Sequence, residues 1–211
     1  MNLRTDLAIE ARGLHPNDMP GVTSEEKMLD ERHQYTKIAI TDKEASEELK
    51  KPIGKYFTID TDDLSKKTVS ELHTTASHVA TAIKEMLADT KFQSVLIIGL
   101  GNKDITPDAL GPKVCDKVFV TNHLFSLLPD LEKEGYSKVF SIAPGVLGTT
   151  GMLTEEVAKA LCEHEKPDVV IAVDALASRK TDRICASLQI SDTGILPGSG
   201  LGNKTKGLTE E

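Results

Sequence analysis

From Thr68 onward the apolar positions Val69, Leu72, Ala76, Val79, Ala80, Ile83, Met86 and Leu87 recur at steps of three and four, the period of one helix face. Thr68-Val69-Ser70-Glu71 opens that run with a capping-box pattern, so the spacing predicts a long amphipathic helix starting there. The pattern then changes. Ser94-Val95-Leu96-Ile97-Ile98-Gly99 is a short, continuous apolar run closed by glycine, as expected of a strand buried on both faces. Asp168 to Val173 repeats that signature, and Lys138 to Ala143 and Ser187 to Ile190 read as further strands. A helix is expected from Gly111-Pro112, where proline suits a first turn, to about Leu128 before Pro129. Another runs from Thr154-Glu155-Glu156, with acids in its first turn, to Pro167. Upstream, Tyr35 to Thr41 and Tyr56 to Asp60 read as short strands on their aromatic and β-branched content. Leu14 to Val22 and the charged stretch Thr41 to Pro52 read as loops around small elements, and the end of the chain, Gly194 to Gly207, is glycine-rich. Strands alternating with helices predict an α/β fold: three α/β/α layers around a mainly parallel sheet, plus small N-terminal β elements, in one domain.

Composition narrows the partners. With 25 Lys+Arg against 33 Asp+Glu the formal charge is −8, which argues against direct nucleic-acid binding or an anionic membrane as main partner. No apolar run approaches the ~20 residues of a membrane span, and the N-terminus opens no signal-peptide core, so a cytoplasmic location is expected. Cys115, Cys162 and Cys185 are odd in number and form no C-x-x-C pair, which fits a reducing compartment, core-filling roles and no structural zinc. The six histidines are scattered; His73 and His78, five apart on one helix, are poorly spaced for shared ligation, so surface or packing roles are expected and no metal is assigned.

In open α/β sheets ligands gather outside the carboxyl ends of the strands, and two of those ends carry an aspartate. One lies in Gly99-Leu100-Gly101-Asn102-Lys103-Asp104-Ile105-Thr106-Pro107-Asp108, the other closes Ile171-Ala172-Val173-Asp174. A charge directly after an apolar strand is costly to bury without a purpose, and two neighbouring carboxyl groups tend to share one proton. One can then activate water while the other donates to a substrate carbonyl, so Asp108 and Asp174 are candidates for peptide hydrolysis by an aspartic mechanism. Helix capping and ribose binding are the ordinary alternatives. The Gly99-x-Gly101 turn brings a dinucleotide site to mind, yet the third glycine position of that fingerprint is Asp104, a negative charge where pyrophosphate would sit. Arg179, Lys180 and Arg183 follow Asp174 and are either a solvated face or a grip for an acidic substrate stretch.

The chain resembles the germination proteases of spore-forming bacteria, endopeptidases that degrade small acid-soluble spore proteins. The resemblance rests on Arg4-Thr5-Asp6-Leu7-Ala8, Gly99-Leu100-Gly101-Asn102 with Thr106 to Pro112, Ala143-Pro144-Gly145-Val146, Lys166-Pro167-Asp168 through Val173-Asp174-Ala175-Leu176-Ala177, and Gln189 to Gly194 into Pro197-Gly198-Ser199-Gly200. It implies an atypical aspartic peptidase with Asp108 and Asp174 as the essential pair, no required metal or cofactor, a homotetramer, and residence in the spore core. It also implies a fold similar to the hydrogenase maturation proteases, which bind nickel through acidic and histidine side chains. Leu196 stands here where related chains often carry histidine, which weakens a histidine-ligand reading. Family members are zymogens, and Thr5-Asp6-Leu7-Ala8-Ile9-Glu10 is similar to their processing site, so self-cleavage between Asp6 and Leu7 is expected, with residues 1–6 as propeptide and 7–211 as the peptidase domain. Glu44-Ala45-Ser46-Glu47 has a similar look and reads as an exposed acidic loop. Because the family's chains continue well beyond this point, the resemblance implies truncation at Glu211. The alternatives are a metal-dependent maturation protease, a nucleotide binder at the glycine turn, or a non-catalytic binding or oligomerisation domain.

Overall fold

The computed structural model describes residues 5–15, 19–128 and 130–195. Leu196, the Pro197 to Gly200 motif and residues 1–4 of the expected propeptide lie outside the described residues. The helices are α1 Ala8–Arg12, α2 Lys43–Leu49, α3 Val69–Met86, α4 Leu110–Cys115, α5 Leu147–Thr150 and α6 Thr154–Glu165; the strands are β1 Val22–Met28, β2 Gln34–Ile40, β3 Gly54–Asp60, β4 Ser94–Gly99, β5 Lys138–Ile142, β6 Val169–Val173 and β7 Ser187–Ser191. The fold is α/β, with an antiparallel sheet and a parallel sheet in two compact units: Met1–Asp89 with Leu176–Thr193, and Thr90–Ala175 with Gly194–Glu211. Among the described residues no helix is long and apolar enough to cross a membrane.

The first unit holds the antiparallel sheet in the order β1-β2-β3-β7. Period-2 alternation gives this sheet two apolar faces. Ile38, Ile40 and Tyr56 pack with Ala8 and Ala11 of α1 and Ala45 and Leu49 of α2, while Tyr35, Phe57 and Ile59 pack with Ala82 of α3. The helix read from Thr68 is α3, and its capping box is formed by Thr68 and Glu71. Its first apolar positions, Val69 and Leu72, are exposed; the buried residue in that stretch is Thr75. One region read as loop departs from expectation. The stretch read as loop holds α2, capped by Asp42 accepting from the Ala45 N–H at 2.9 Å, so Glu44 to Glu47 is helix with Ala45 buried. Only Ala45 and Leu49 are buried in that charged helix, too few apolar positions to register a period. The strand at Ser187 forms as expected, and it joins β3 antiparallel.

In the second unit β4 lies between β5 and β6, all parallel. Leu96 and Ile98 of β4 pack with Ala158 of α6, joined by Phe140, Ile142 and Leu161. Gly99, one step out of phase and therefore on the other face, approaches α4 so closely that a Cβ there would lie 2.2 Å from the Gly111 carbonyl oxygen. A helix thus covers each face of β4, the layering expected from the sequence. The helix expected to reach Leu128 stops at Cys115. Beyond it Val118-Phe119-Val120-Thr121 is β-branched and aromatic, which disfavours helix. Thr121 instead pairs along β5: its N–H donates to the Val139 carbonyl at 3.2 Å, and its hydroxyl oxygen accepts from the Val139 N–H at 2.9 Å. Of the three free cysteines, Cys115 and Cys162 are partly buried, whereas Cys185 is exposed rather than core-filling.

Candidate active site

The parallel sheet sets the geometry. Gly99 pairs with Val173, and the Leu100 N–H donates to the Val173 carbonyl at 2.8 Å, so β4 and β6 end side by side. Asp174 is the next residue after β6, half-buried, with Oδ1 accepting from the Ala175 N–H at 2.8 Å. The loop leaving β4 turns at Gly101, whose φ of 111° lies where side chains are strained; a Cβ there would sit 2.0 Å from the Asp108 carbonyl oxygen. That turn lets Asp108 fold back on the loop. Its Oδ2 accepts the Asn102 N–H at 2.7 Å, and its own N–H donates to the Ile105 carbonyl at 2.9 Å. Gly111, in the first turn of α4, seats that helix on both strand ends: a Cβ would lie 2.3 Å from the Leu100 carbonyl oxygen and 2.4 Å from that of Val173. Asp108 and Asp174 are therefore carried by loops at the carboxyl ends of neighbouring parallel strands, the edge at which such sheets bind ligands.

Comparison with known proteins places the whole of this region in one family. A family model described as germination protease matches residues 5–211. The chain belongs to the germination protease family. It is 42% identical over 100% of its length to the germination protease of Clostridium perfringens (strain SM101 / Type A), covering 66% of that protein. The germination protease of Caldanaerobacter subterraneus subsp. tengcongensis is 40% identical over 100% of this chain, 65% of its own length, and that of Bacillus subtilis (strain 168) 43% identical over 99%, 59% of its own. The chain thus spans 66% or less of the length of these germination proteases.

The other residues singled out from the sequence lie in the first unit. Arg183 is engaged: its Nη1 lies 2.8 Å from Asp60 Oδ1 and its Nε 3.8 Å from Glu10 Oε1. Arg179 and Lys180 are exposed, and Lys180 and Arg183 line a cleft of about 390 Å³ together with Arg12 and His15. The Asp6–Leu7 bond is built into the unit. Asp6 exchanges two hydrogen bonds with Ala177, its N–H to the carbonyl and its Oδ2 from the N–H, both 2.9 Å. The Asp6 carbonyl accepts from Lys51 Nζ at 2.9 Å and Gln189 Nε2 at 3.2 Å, and Leu7 is buried.

Two features escape sequence reasoning. Glu10, buried, accepts from the Thr5 and Ser178 hydroxyls and from the Arg179 and Lys180 N–H groups. Burial pushes its carboxyl up, but these hydrogen bonds outweigh it and hold the group below the ordinary carboxylate range. The acid flanked by Ile9 and Ala11 was the one local signal. The second feature is a convergence of Asp30, His33 and His78. The Arg32 backbone N–H and then the two histidines hold the Asp30 carboxyl well below its usual range. No spacing rule joins residues 48 apart on a hairpin and a helix.

Proposed function

We propose that this chain carries the catalytic site of an endopeptidase of spore germination, acting on small acid-soluble spore proteins through a water-activating pair, Asp108 and Asp174. The observation that carries this reading is the placement of two half-buried aspartates at adjacent parallel strand ends, one on a glycine turn clamped by Gly111. In the reaction one carboxylate takes a proton from water as it attacks the scissile carbonyl. The other, protonated, donates to the carbonyl oxygen, and the proton taken from water goes on to the leaving amine. Of the cations that follow Asp174 in sequence, Arg179 and Lys180 are exposed and are the contacts proposed for acidic residues flanking the cut bond, with Arg183 a weaker one because it is paired with Asp60. Lys180→Ala should then raise KM and leave kcat unchanged; an unchanged KM would remove that assignment.

Activation follows the zymogen logic, with self-cleavage at Asp6–Leu7. The bond is held at its carbonyl by Lys51 and Gln189, so processing requires this strap to peel from Ala177 first. Lys51→Ala should accelerate appearance of a chain beginning at Leu7, and an unchanged rate by intact mass would refute the strap. A homo-oligomer, the family's homotetramer, is supported by the exposed apolar side chains Phe119, Leu127 and Leu128. Light scattering that finds only a monomer at working concentrations would overturn that point.

The deciding experiment is cleavage of a peptide containing Thr-Glu-Phe-Ala-Ser-Glu, followed by mass spectrometry, with Asp108→Asn and Asp174→Asn beside the parent. Cutting at a single bond that disappears in both variants is expected. Cutting that survives both substitutions would sink the carboxylate pair.

A further inference from the structure

The turn joining β1 to β2 and the middle of α3 bring three metal-ligating side chains together within the first unit. Asp30 and His33 lie in the turn, His78 on the helix, and one donor atom from each falls within 4.8 Å of the others. His33 Nδ1 lies 2.8 Å from both carboxylate oxygens of Asp30, and His78 Nε2 lies 2.8 Å from Oδ2. The two rings are tilted across each other with centroids 4.8 Å apart. His33 is 2% exposed, while the Asp30 side chain is 35% exposed, so the cluster is rooted in the interior and open on one side.

The surroundings define which nitrogen faces the cluster. His33 Nε2 lies 2.8 Å from Thr75 Oγ1, and that hydroxyl donates its single proton to the Glu71 carbonyl at 3.1 Å. Nε2 is thereby taken up by Thr75, and Nδ1 is the ring nitrogen on the carboxylate side. Lys67, whose Nζ donates to Thr61 and lies 3.4 Å from Nε2, stands on that same Nε2 side. At 2.8 Å the ring nitrogen and the carboxylate share a proton, and a metal cation would take that proton's place. A ring nitrogen turned to a cluster while the other contacts a fixed oxygen is how metal-bound histidines are oriented.

We propose that Asp30, His33 and His78 form a binding site for a divalent first-row transition metal. Two imidazoles and one carboxylate are a borderline donor set, suited to Zn2+ and unsuited to Mg2+ or Ca2+. A tetrahedral ion with bonds of about 2.0–2.1 Å separates its ligand atoms by about 3.3 Å, so the two 2.8 Å His–Asp contacts need to open by about half an ångström, while the two histidine nitrogens already lie within 4.8 Å of each other. The open side leaves a position for water. The bound ion would fasten the hairpin to α3, tying two elements that the sequence separates. The inference does not depend on the peptidase reading.

Calorimetric titration of the whole chain with Zn2+ near neutral pH tests it. One equivalent should bind, and Asp30→Asn and His78→Gln should each weaken binding at least about tenfold. His73→Gln, an exposed histidine on the same helix, should bind as the parent does. The Co2+ form of the parent needs no variant: its paramagnetism should broaden the ring-proton resonances of His33 and His78 and spare the other histidines. Absence of Zn2+ binding, affinity unchanged in both variants, or broadening at other histidines instead would overturn the site and leave a hydrogen-bonded brace.

Discussion

Replacing Gly111 by alanine sets two physical effects against each other. Gly111 is helical, in α4, and helix propensity alone favours alanine by about 0.5–1 kcal/mol. The added methyl, however, would lie 2.3 and 2.4 Å from the carbonyl oxygen and nitrogen of Leu100 and 2.4 Å from the carbonyl oxygen of Val173, about 1 Å short of the 3.4 Å at which ordinary contact begins. All three neighbours are backbone atoms of paired strand ends, so α4 must withdraw. Overpacking costs about 1–3 kcal/mol, and against three backbone atoms the upper half of that range applies, about 2–3, which leaves a net destabilisation of about 1–2.5 kcal/mol. With a urea dependence of about 2 kcal/mol per molar, the midpoint should fall by about 0.5–1.25 M, read by circular dichroism. Because α4 follows directly from the Asp108 turn, peptide cleavage should fall by about 10²-fold, the usual cost of a 1 Å displacement. Gly148 is the control: it is helical in α5, and nothing lies within 4 Å of its added Cβ, so Gly148→Ala should hold or raise the midpoint. A Gly111→Ala midpoint equal to or above the parent's would mean propensity wins and the close approach is wrong.

Two further substitutions probe buried polar groups in the first unit. Glu10→Gln leaves N–H and hydroxyl donors at residues 178–180 without their charged acceptor and should cost about 1–3 kcal/mol near neutral pH. Since the folded-state pKa of Glu10 is lowered, its stabilisation is present above the ordinary carboxylate range and fades as pH falls through the folded value. Urea midpoints of parent and variant should therefore converge in acid, and a constant gap would refute the role given to its charge. Thr36 and Thr58 face each other across β2 and β3 with buried hydroxyls that find no hydrogen-bond partner among the described residues. Thr36→Val keeps the shape and removes the desolvated hydroxyl, so it should stabilise by about 1 kcal/mol; a lower midpoint would show that the hydroxyl is satisfied.

What the sequence revealed follows the range of the interaction. The long helix at Thr68 and the apolar strands at Val95 and Val169 were legible because capping and burial patterns are local. The helix expected to reach Leu128 stops short because the β-branched and aromatic run at Val118 disfavours helix and Thr121 pairs along β5. The short helix at Lys43 carries too few buried residues to leave a period. Likewise the place of Ser187 to Ser191 beside β3 depends on pairing over more than 120 residues, which no window of sequence reports. The aspartates were legible because each ends or follows a recognisable strand, whereas Asp30, His33 and His78 meet only once a hairpin packs on a helix.

The pairing of β3 with β7 also has a temporal meaning. The second unit's parallel sheet is drawn from one uninterrupted stretch, whereas the first unit is started by the N-terminal segment and finished by residues 176–193. During synthesis all three strands of the parallel sheet, Ser94–Gly99, Lys138–Ile142 and Val169–Val173, emerge before Ser187. The outer edge of β3 must meanwhile wait, with its amides and carbonyls unmatched, until Ser187–Ser191 emerge, so the nascent chain spends the making of the whole parallel sheet with a bare strand edge open to wrong partners.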